Sequence, residues 1–211
     1  MDLVDGKLGA SVSLRNEPVQ ARSTARLTAL LDAAASAIHD LGYERLTTAM
    51  VAERAGASIG TVYRYFPDRI AVLQALAARN LERVIGGIRG ALGNPDATDW
   101  RDAVGAAFEE YVSAFRSEPG FASLRSGDVI DLRPAVSPDT ANSHIAAVMV
   151  DLLSERFGTD KSVETLVVFE NAVEVMDALI ARAFARDVNG DAAILASARS
   201  LVLSIVASRL G

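Results

Sequence analysis

TTAMVAERAGASIGTVYRYFPDR, residues 47–69, decides how this chain is read. Thr47 or Thr48 offers a side-chain oxygen to cap a first short helix, in which Met50, Val51 and Ala55 share an apolar face. Gly56 follows where a turn needs positive φ or two helices approach closely. Ser58 caps a second helix, and Ile59, Val62 and Phe66 give it a stripe at i, i+3 and i+7 that is expected to be buried. Pro67 stops it after barely two turns. Gly60, Thr61, Arg64 and Tyr65 fall off that stripe, with Tyr63 at its edge. A helix this short, with small and hydroxyl side chains outside, can lie in a DNA major groove without steric conflict.

Upstream, residues 21–41 carry Leu27, Leu30, Leu31, Ala34, Ile38 and Leu41 at spacings of three and four, the apolar face of a supporting helix that ends at Gly42. Residues 1–20 mix Gly, Ser, Asn and Pro without a period and read as a mobile arm. Arg15, Arg22 and Arg26 stand where they can reach phosphates. Downstream, Asp68 caps a helix whose apolar stripe runs to Leu92 and joins this unit to the remainder. Gly86, Gly87 and Gly90 inside it mark a soft point or a close packing.

The motif resembles the signature of the TetR family of bacterial transcriptional regulators. The match holds at Ala55, Gly56, Ser58, Gly60, Thr61, Tyr63, Tyr65 and Phe66, and extends upstream through Gly42 and Tyr43. Met50, Ala57, Arg69 and Ile70 depart from the usual pattern without removing a residue the fold requires. The resemblance implies an all-α protein of about nine helices. It divides into an arm (1–20), a three-helix DNA-binding domain (21–67), a connecting helix (68–95) and an effector-binding and dimerisation domain (96–211). It assigns DNA contacts to Thr47 or Thr48, Ser58, Gly60, Thr61, Tyr63, Tyr65 and Arg69. By their chemistry, Thr48 and Tyr63 suit phosphate oxygens, Arg69 an ionic phosphate contact, Arg64 a guanine edge, and Thr61 with the Gly60 backbone a thymine methyl.

Composition agrees with an all-helical chain. Half of the 211 residues are hydrophobic, few are aromatic, and Ala and Leu dominate without alternating β-branched runs. Cysteine is absent, which removes disulfides and thiolate metal sites. No uninterrupted apolar run reaches the ~18 residues of a membrane span, and no signal-like stretch opens the chain, so a cytoplasmic protein with no membrane partner is expected. The net charge is −6, yet the first seventy residues hold eight basic and eight acidic side chains, so the acidic excess lies entirely beyond them. That leaves the N-terminal unit free to meet phosphates locally.

In the second domain, Phe108, Tyr111, Phe115, Phe121, Leu124, Met149, Phe169, Val173 and Met176 are candidates for an apolar pocket. The resemblance implies an effector there, and this lining suits an apolar or amphipathic one. Tyr111, Arg125 and Glu174 are candidate polar contacts. Residues 127–138 read as an irregular loop carrying Asp128, Asp131 and Arg133. The last two helices, 162–186 and 191–210, have more apolar surface than one core absorbs, and small residues on the final helix leave room for another. This predicts a homodimer through a four-helix bundle, as the resemblance also implies.

No nucleophile elbow or His–Glu metal spacing occurs. His39 and His144 are far apart, and adjacent Glu109 and Glu110 diverge on a helix. No catalytic residue, metal or cofactor is expected. The expected function is a regulator, most simply a repressor, that binds a palindromic DNA operator and is released by a small molecule. The alternative is a small-molecule-binding or enzymatic helical bundle with a vestigial helix-turn-helix, for which the near-neutral N-terminal charge is the only support.

Overall fold

The computed structural model describes residues 17–122, 124 and 140–211, with side chains from residue 21 onward. The elements are α1 (Glu17–Leu41), a 3-10 turn (Tyr43–Arg45), α2 (Thr48–Arg54), α3 (Ile59–Tyr65), α4 (Arg69–Leu92), α5 (Trp100–Ser117), α6 (Ala141–Phe157), α7 (Val163–Arg186) and α8 (Ala192–Leu210). The described residues contain no strand, so the chain is all-α. Arg15, Arg125 and the loop with Asp128, Asp131 and Arg133 lie outside the described residues.

Local chemistry sets most helix starts. Thr47, not Thr48, caps α2, its Oγ1 accepting from Met50 N at 3.2 Å. Ser58 caps α3 through Thr61 N at 3.1 Å, and Asp68 caps α4 through Ala71 N at 2.8 Å. Asp99, Thr140, Ser162 and Asp191 cap the later helices in the same way. Each such bond satisfies an orphan amide and stabilises its helix by ~1 kcal/mol. α1 begins at Glu17, four residues before the expected start, with Pro18 in the first turn where its missing N–H costs nothing.

Two hydrophobic cores share α4. In the first, Leu30, Ala34 and Ile38 of α1 meet Val51, Val62 and Phe66, together with Val72, Leu73 and Leu76 from the first half of α4. In the second, Val84, Ile88 and Leu92 from the other half of α4 meet α5, α6, α7 and α8. Two expected core positions are exposed. Ile59, at 43% exposure, is the first residue of α3, and its side chain leans past the helix end instead of inward. Leu41 closes α1 and is likewise exposed.

Residues 119–124 bridge the cores. Residues 119–122 form turns. Phe121 enters the second core and Leu124 the first, which removes Leu124 from the expected pocket lining. Asn80 of α4 is buried and donates from Nδ2 to the Leu124 carbonyl at 2.9 Å. Gly120 has φ +74, and a Cβ there would stand 2.8 Å from the Ala35 carbonyl oxygen of α1. On the same seam Arg79 pairs with Asp32 at 2.6 Å, and Arg83 pairs with Glu118. Of the three helical glycines in α4, only Gly87 lies under a neighbour, the Glu110 carboxylate, while Gly86 and Gly90 face open space.

The far end of the molecule is fastened by polar contacts to backbone and loop. Arg156 of α6 donates to the carbonyls of Leu92 and Ala97, both at 2.6 Å, holding the C-terminal end of α4. Arg209 of α8 pairs with Asp160 at 2.7 Å, and Thr165 Oγ1 donates to the same carboxylate at 2.6 Å. The Ser162 and Thr165 hydroxyls, with the Arg209 guanidinium, hold the Asp160 carboxyl well below the usual carboxylate range.

Gly120→Ala is predicted to destabilise the chain by at least ~1–2 kcal/mol from the left-handed backbone alone, with the clash against α1 added to it. Gly56, at φ +58 with nothing within 4 Å of its would-be Cβ, supplies the control. Gly120→Ala should lower the thermal midpoint clearly more than Gly56→Ala does, and equal shifts would mean that α1 yields freely. For Asp160, a depressed folded pKa gives stability that is present above the unfolded value and lost as pH falls toward the folded one. The midpoint of Asp160→Asn should therefore lie below that of the unmodified chain at neutral pH, with the gap closing as pH falls below ~4. Thermal melts at several pH values read this directly.

Candidate nucleic-acid interface

α2, the turn at Gly56 and α3 stand on the first core as a helix-turn-helix. Gly56 takes φ +58 at the end of α2, the conformation that makes this residue type fit there. Val62 and Phe66 bury the inner side of α3, and Tyr65 packs at the edge of the same core. Arg54 fastens α2 to α1 through Asp40 at 2.6 Å and Ser36 at 2.9 Å. α3 is thus held from behind by packing, beside an α2 that an ion pair fastens to α1.

The outward face of α3 presents Ile59, Gly60, Thr61 and Tyr63. Tyr63 is 54% exposed, and its hydroxyl accepts from Thr48 Oγ1 at 3.4 Å, so these two side chains stand together at the α2–α3 junction. Ser58 Oγ and Thr61 Oγ1 lie 2.9 Å apart, a hydroxyl pair at the start of α3. A Cβ at Gly60 would meet only Ser58 Oγ, at an ordinary 3.9 Å. Nothing in the fold demands glycine at that position; its effect is to leave a bare patch of helix facing outward.

Two of the expected contact residues are placed differently. Arg69, expected to make an ionic contact, is half-buried and donates through Nη1 to the carbonyls of Tyr43 and Glu44, both at 3.2 Å. It locks the 3-10 turn onto the start of α4. Arg64 does not project from the middle of the outward face. It lies in the last turn of α3, with its guanidinium 5.4 Å from the Tyr65 ring centroid, and lines an open recess with Arg22, Ser23, Arg26 and Tyr65. Thr47 is occupied with its cap, which leaves Thr48 as the hydroxyl near Tyr63.

In the second core, Phe108, Tyr111, Phe115, Phe121, Met149, Phe169, Val173 and Met176 are all buried together. Tyr111, Phe115, Phe121 and Phe184 form an aromatic cluster, with Phe115 at 5.1 Å from both Phe121 and Phe184. Tyr111 donates its hydroxyl to Asp177 Oδ1 at 2.7 Å. Glu174, a candidate polar contact, is exposed on the outside of α7. One feature escaped the sequence reading. Asn142 shares the α6 stripe of Ile145, Ala146 and Met149, is buried, and among the described residues its Oδ1 has no hydrogen-bond donor. The signal for it was a lone amide at i−3, i−4 and i−7 from core residues. A cleft of about 100 Å³ also opens between α4 and α5, bordered by Asn80, Arg83, Gly87, Glu110 and Phe121. Among the described residues no group of His, Asp or Glu is placed to hold a metal.

The comparisons with known proteins follow the same division. The model of the TetR family of bacterial regulatory proteins matches residues 30–76, and the tetracyclin repressor-like C-terminal domain matches residues 98–209. The HTH-type transcriptional repressor KstR of Rhodococcus jostii is 42% identical over 55 residues, covering 26% of each chain. The repressor Rv1474c of Mycobacterium tuberculosis is 30% identical over 107 residues, 46% of this chain and 55% of the relative. The chain thus spans only about a quarter to a half of these relatives. A TetR-family transcriptional regulator of known structure from Streptomyces coelicolor is 33% identical, with a TM-score of 0.74 over 87% of this chain and 99% of that one. With both of its parts matched and the whole fold shared, this chain belongs to the TetR family of DNA-binding transcriptional regulators.

Proposed function

We propose that the protein is a repressor that binds a palindromic operator as a homodimer and leaves it when a small, largely apolar molecule enters the second domain. The observation that carries the DNA side is Gly60. It stands exposed on α3 beside Thr61 and Tyr63, at a site where the fold itself would accept a side chain. Close approach of the helix backbone to a base edge is a sufficient reason for a glycine there. Thr48 and Tyr63 are suited to one phosphate, and exposed Ile59 to a thymine methyl.

The dimer reading is supported by the outer surface of α7 and α8. Val163 is 74% exposed and Val167 and Leu201 are also exposed. α8 has a mean hydropathy of 1.5 with only 22% of its most apolar window buried. By length and composition alone α8 could cross a membrane. In the sequence Arg199 and several serines interrupt its apolar run. A second copy of α7 and α8 would cover this surface as a four-helix bundle.

The effector reading is supported by the aromatic cluster and by Asn142 Oδ1, a buried acceptor without a donor among the described residues. An orphan of this kind costs ~1–3 kcal/mol, which a ligand hydroxyl or N–H would offset. Ligand and operator then oppose each other reciprocally, with α4 shifting the spacing of the two reading heads.

Selection of random duplexes on the purified protein at ~0.15 M salt should recover a palindrome with half-sites about one helical turn (~34–36 Å) apart. Absence of any enriched sequence, at this or lower salt, would remove the operator reading and favour the second-domain core as the seat of function. Gly60→Leu separates fold from recognition. Its thermal midpoint should be unchanged or slightly raised, because leucine is a better helix former by ~0.8 kcal/mol, while operator affinity falls at least about tenfold, ~1.4 kcal/mol.

A further inference from the structure

Arg22 and Arg26 are one turn apart on α1 and both exposed, and Arg64 closes the same recess from the end of α3. The recess is open and measures about 530 Å³. Ser23 Oγ lies 3.3 Å from Tyr65 Oη, so the start of α1 is joined to the end of α3 at its floor. Among the described residues, none of the three guanidiniums makes a hydrogen bond or an ion pair; Arg64 has only the Tyr65 ring. Several other arginines of the chain find partners: Arg54, Arg79, Arg83 and Arg209 pair with carboxylates, and Arg69 and Arg156 donate to carbonyls. Three converging cations without an anion repel one another, and that arrangement is favourable only when an anion is present.

Resting on the operator reading above, we propose that this recess is a phosphate clamp. Arg22, Arg26 and Arg64 together hold the DNA backbone flanking the groove that α3 enters. Arg64 is therefore a positioning residue and does not read a guanine. The assignment follows from its place at the C-terminal end of α3, turned toward Tyr65 and α1, away from the patch of Ile59, Gly60 and Tyr63. It also shows how a chain of net charge −6 concentrates positive potential where it meets DNA. The clamp extends the interface past the helix-turn-helix onto α1, and its contacts carry charge but no sequence information.

The test compares the unmodified chain with Arg22→Ala/Arg26→Ala, Arg64→Ala and Arg22→Lys/Arg26→Lys. Each is titrated against the selected operator and a scrambled duplex between about 50 mM and 200 mM salt. All three positions are exposed, and circular dichroism verifies that each variant folds. The clamp requires both alanine variants to weaken operator and scrambled DNA by similar factors. Their salt slopes should be shallower by roughly one per arginine per half-site, with most of the slope kept by the lysine variant. Repeating the selection with Arg64→Ala should return the same palindrome. If that palindrome instead loses one position while scrambled binding is unchanged, Arg64 reads a base and the clamp is wrong. Unchanged affinity and slope in Arg22→Ala/Arg26→Ala would equally overturn it, leaving the operator reading intact. Failure of the unmodified chain to bind any duplex would instead bring down the operator reading and the clamp with it.

Discussion

The hydrogen bond from Asn80 to the Leu124 carbonyl ties the turn beyond α5 to α4, the helix that runs through both cores. Asn80 sits where α4 passes from one core to the other, between Leu76 and Val84. A buried amide there is tolerable only because it meets an equally buried carbonyl, and removing either group strands the other. The bond fixes the turn at residues 119–124, and that turn sends Phe121 and Leu124 in opposite directions. Gly120 then permits α1 to press its backbone against the turn. The helix-turn-helix is therefore held by the second domain at two places, along α4 and at the 119–124 turn against α1. In the proposed ligand response, movement around Phe121 has both routes by which to reach α1 and α4.

The arginines divide according to what they hold. Arg54, Arg69 and Arg79 are directed at carboxylates and carbonyls within the N-terminal unit, and they set the angles at which its helices stand. Arg156 does the same for the end of α4. These contacts gain little from simple charge pairing at an exposed surface. Their worth is geometric, since a forked donor on two carbonyls or a carboxylate fixes a direction. Arg22 and Arg26 on α1 and Arg64 at the end of α3 make no such contact among the described residues, so their charge is available to a partner.

This division explains what could be read from the sequence. The caps at Ser58 and Asp68 were legible because each concerns an oxygen and an amide three residues apart. The stripe of Val62 and Phe66 was legible for the same reason, and the family signature placed the whole unit. Ile59 broke the pattern because periodicity does not register that a helix's first side chain leans beyond its end. Leu124 has an apolar environment as expected, but spacing could not say which of two cores it enters. Arg69 finds its partners 25 and 26 residues earlier in the chain, at backbone oxygens that no side-chain pattern records. Local chemistry was visible and long-range polar geometry was not.

α8 shows the same limit from the other side. Its composition would suit a lipid environment, but Arg199 stands near its middle. The Arg199 guanidinium lies over Gly105 of α5, where a Cβ would stand only 2.5 Å from Nη2, and Nε is 3.8 Å from Glu109. Gly105 is thus the seat that lets a charged side chain cross a close helix contact. A helix docked through such a seat, and tied at its far end by Arg209 to Asp160, has its inner face committed to its own chain. What remains outside is an apolar surface of small residues with Leu201 among them. Hydrocarbon would gain nothing from the serines at positions 197, 200 and 204, whereas a helix of matching small side chains can approach them closely. In the proposed homodimer a second α8 supplies the same small-residue surface by symmetry.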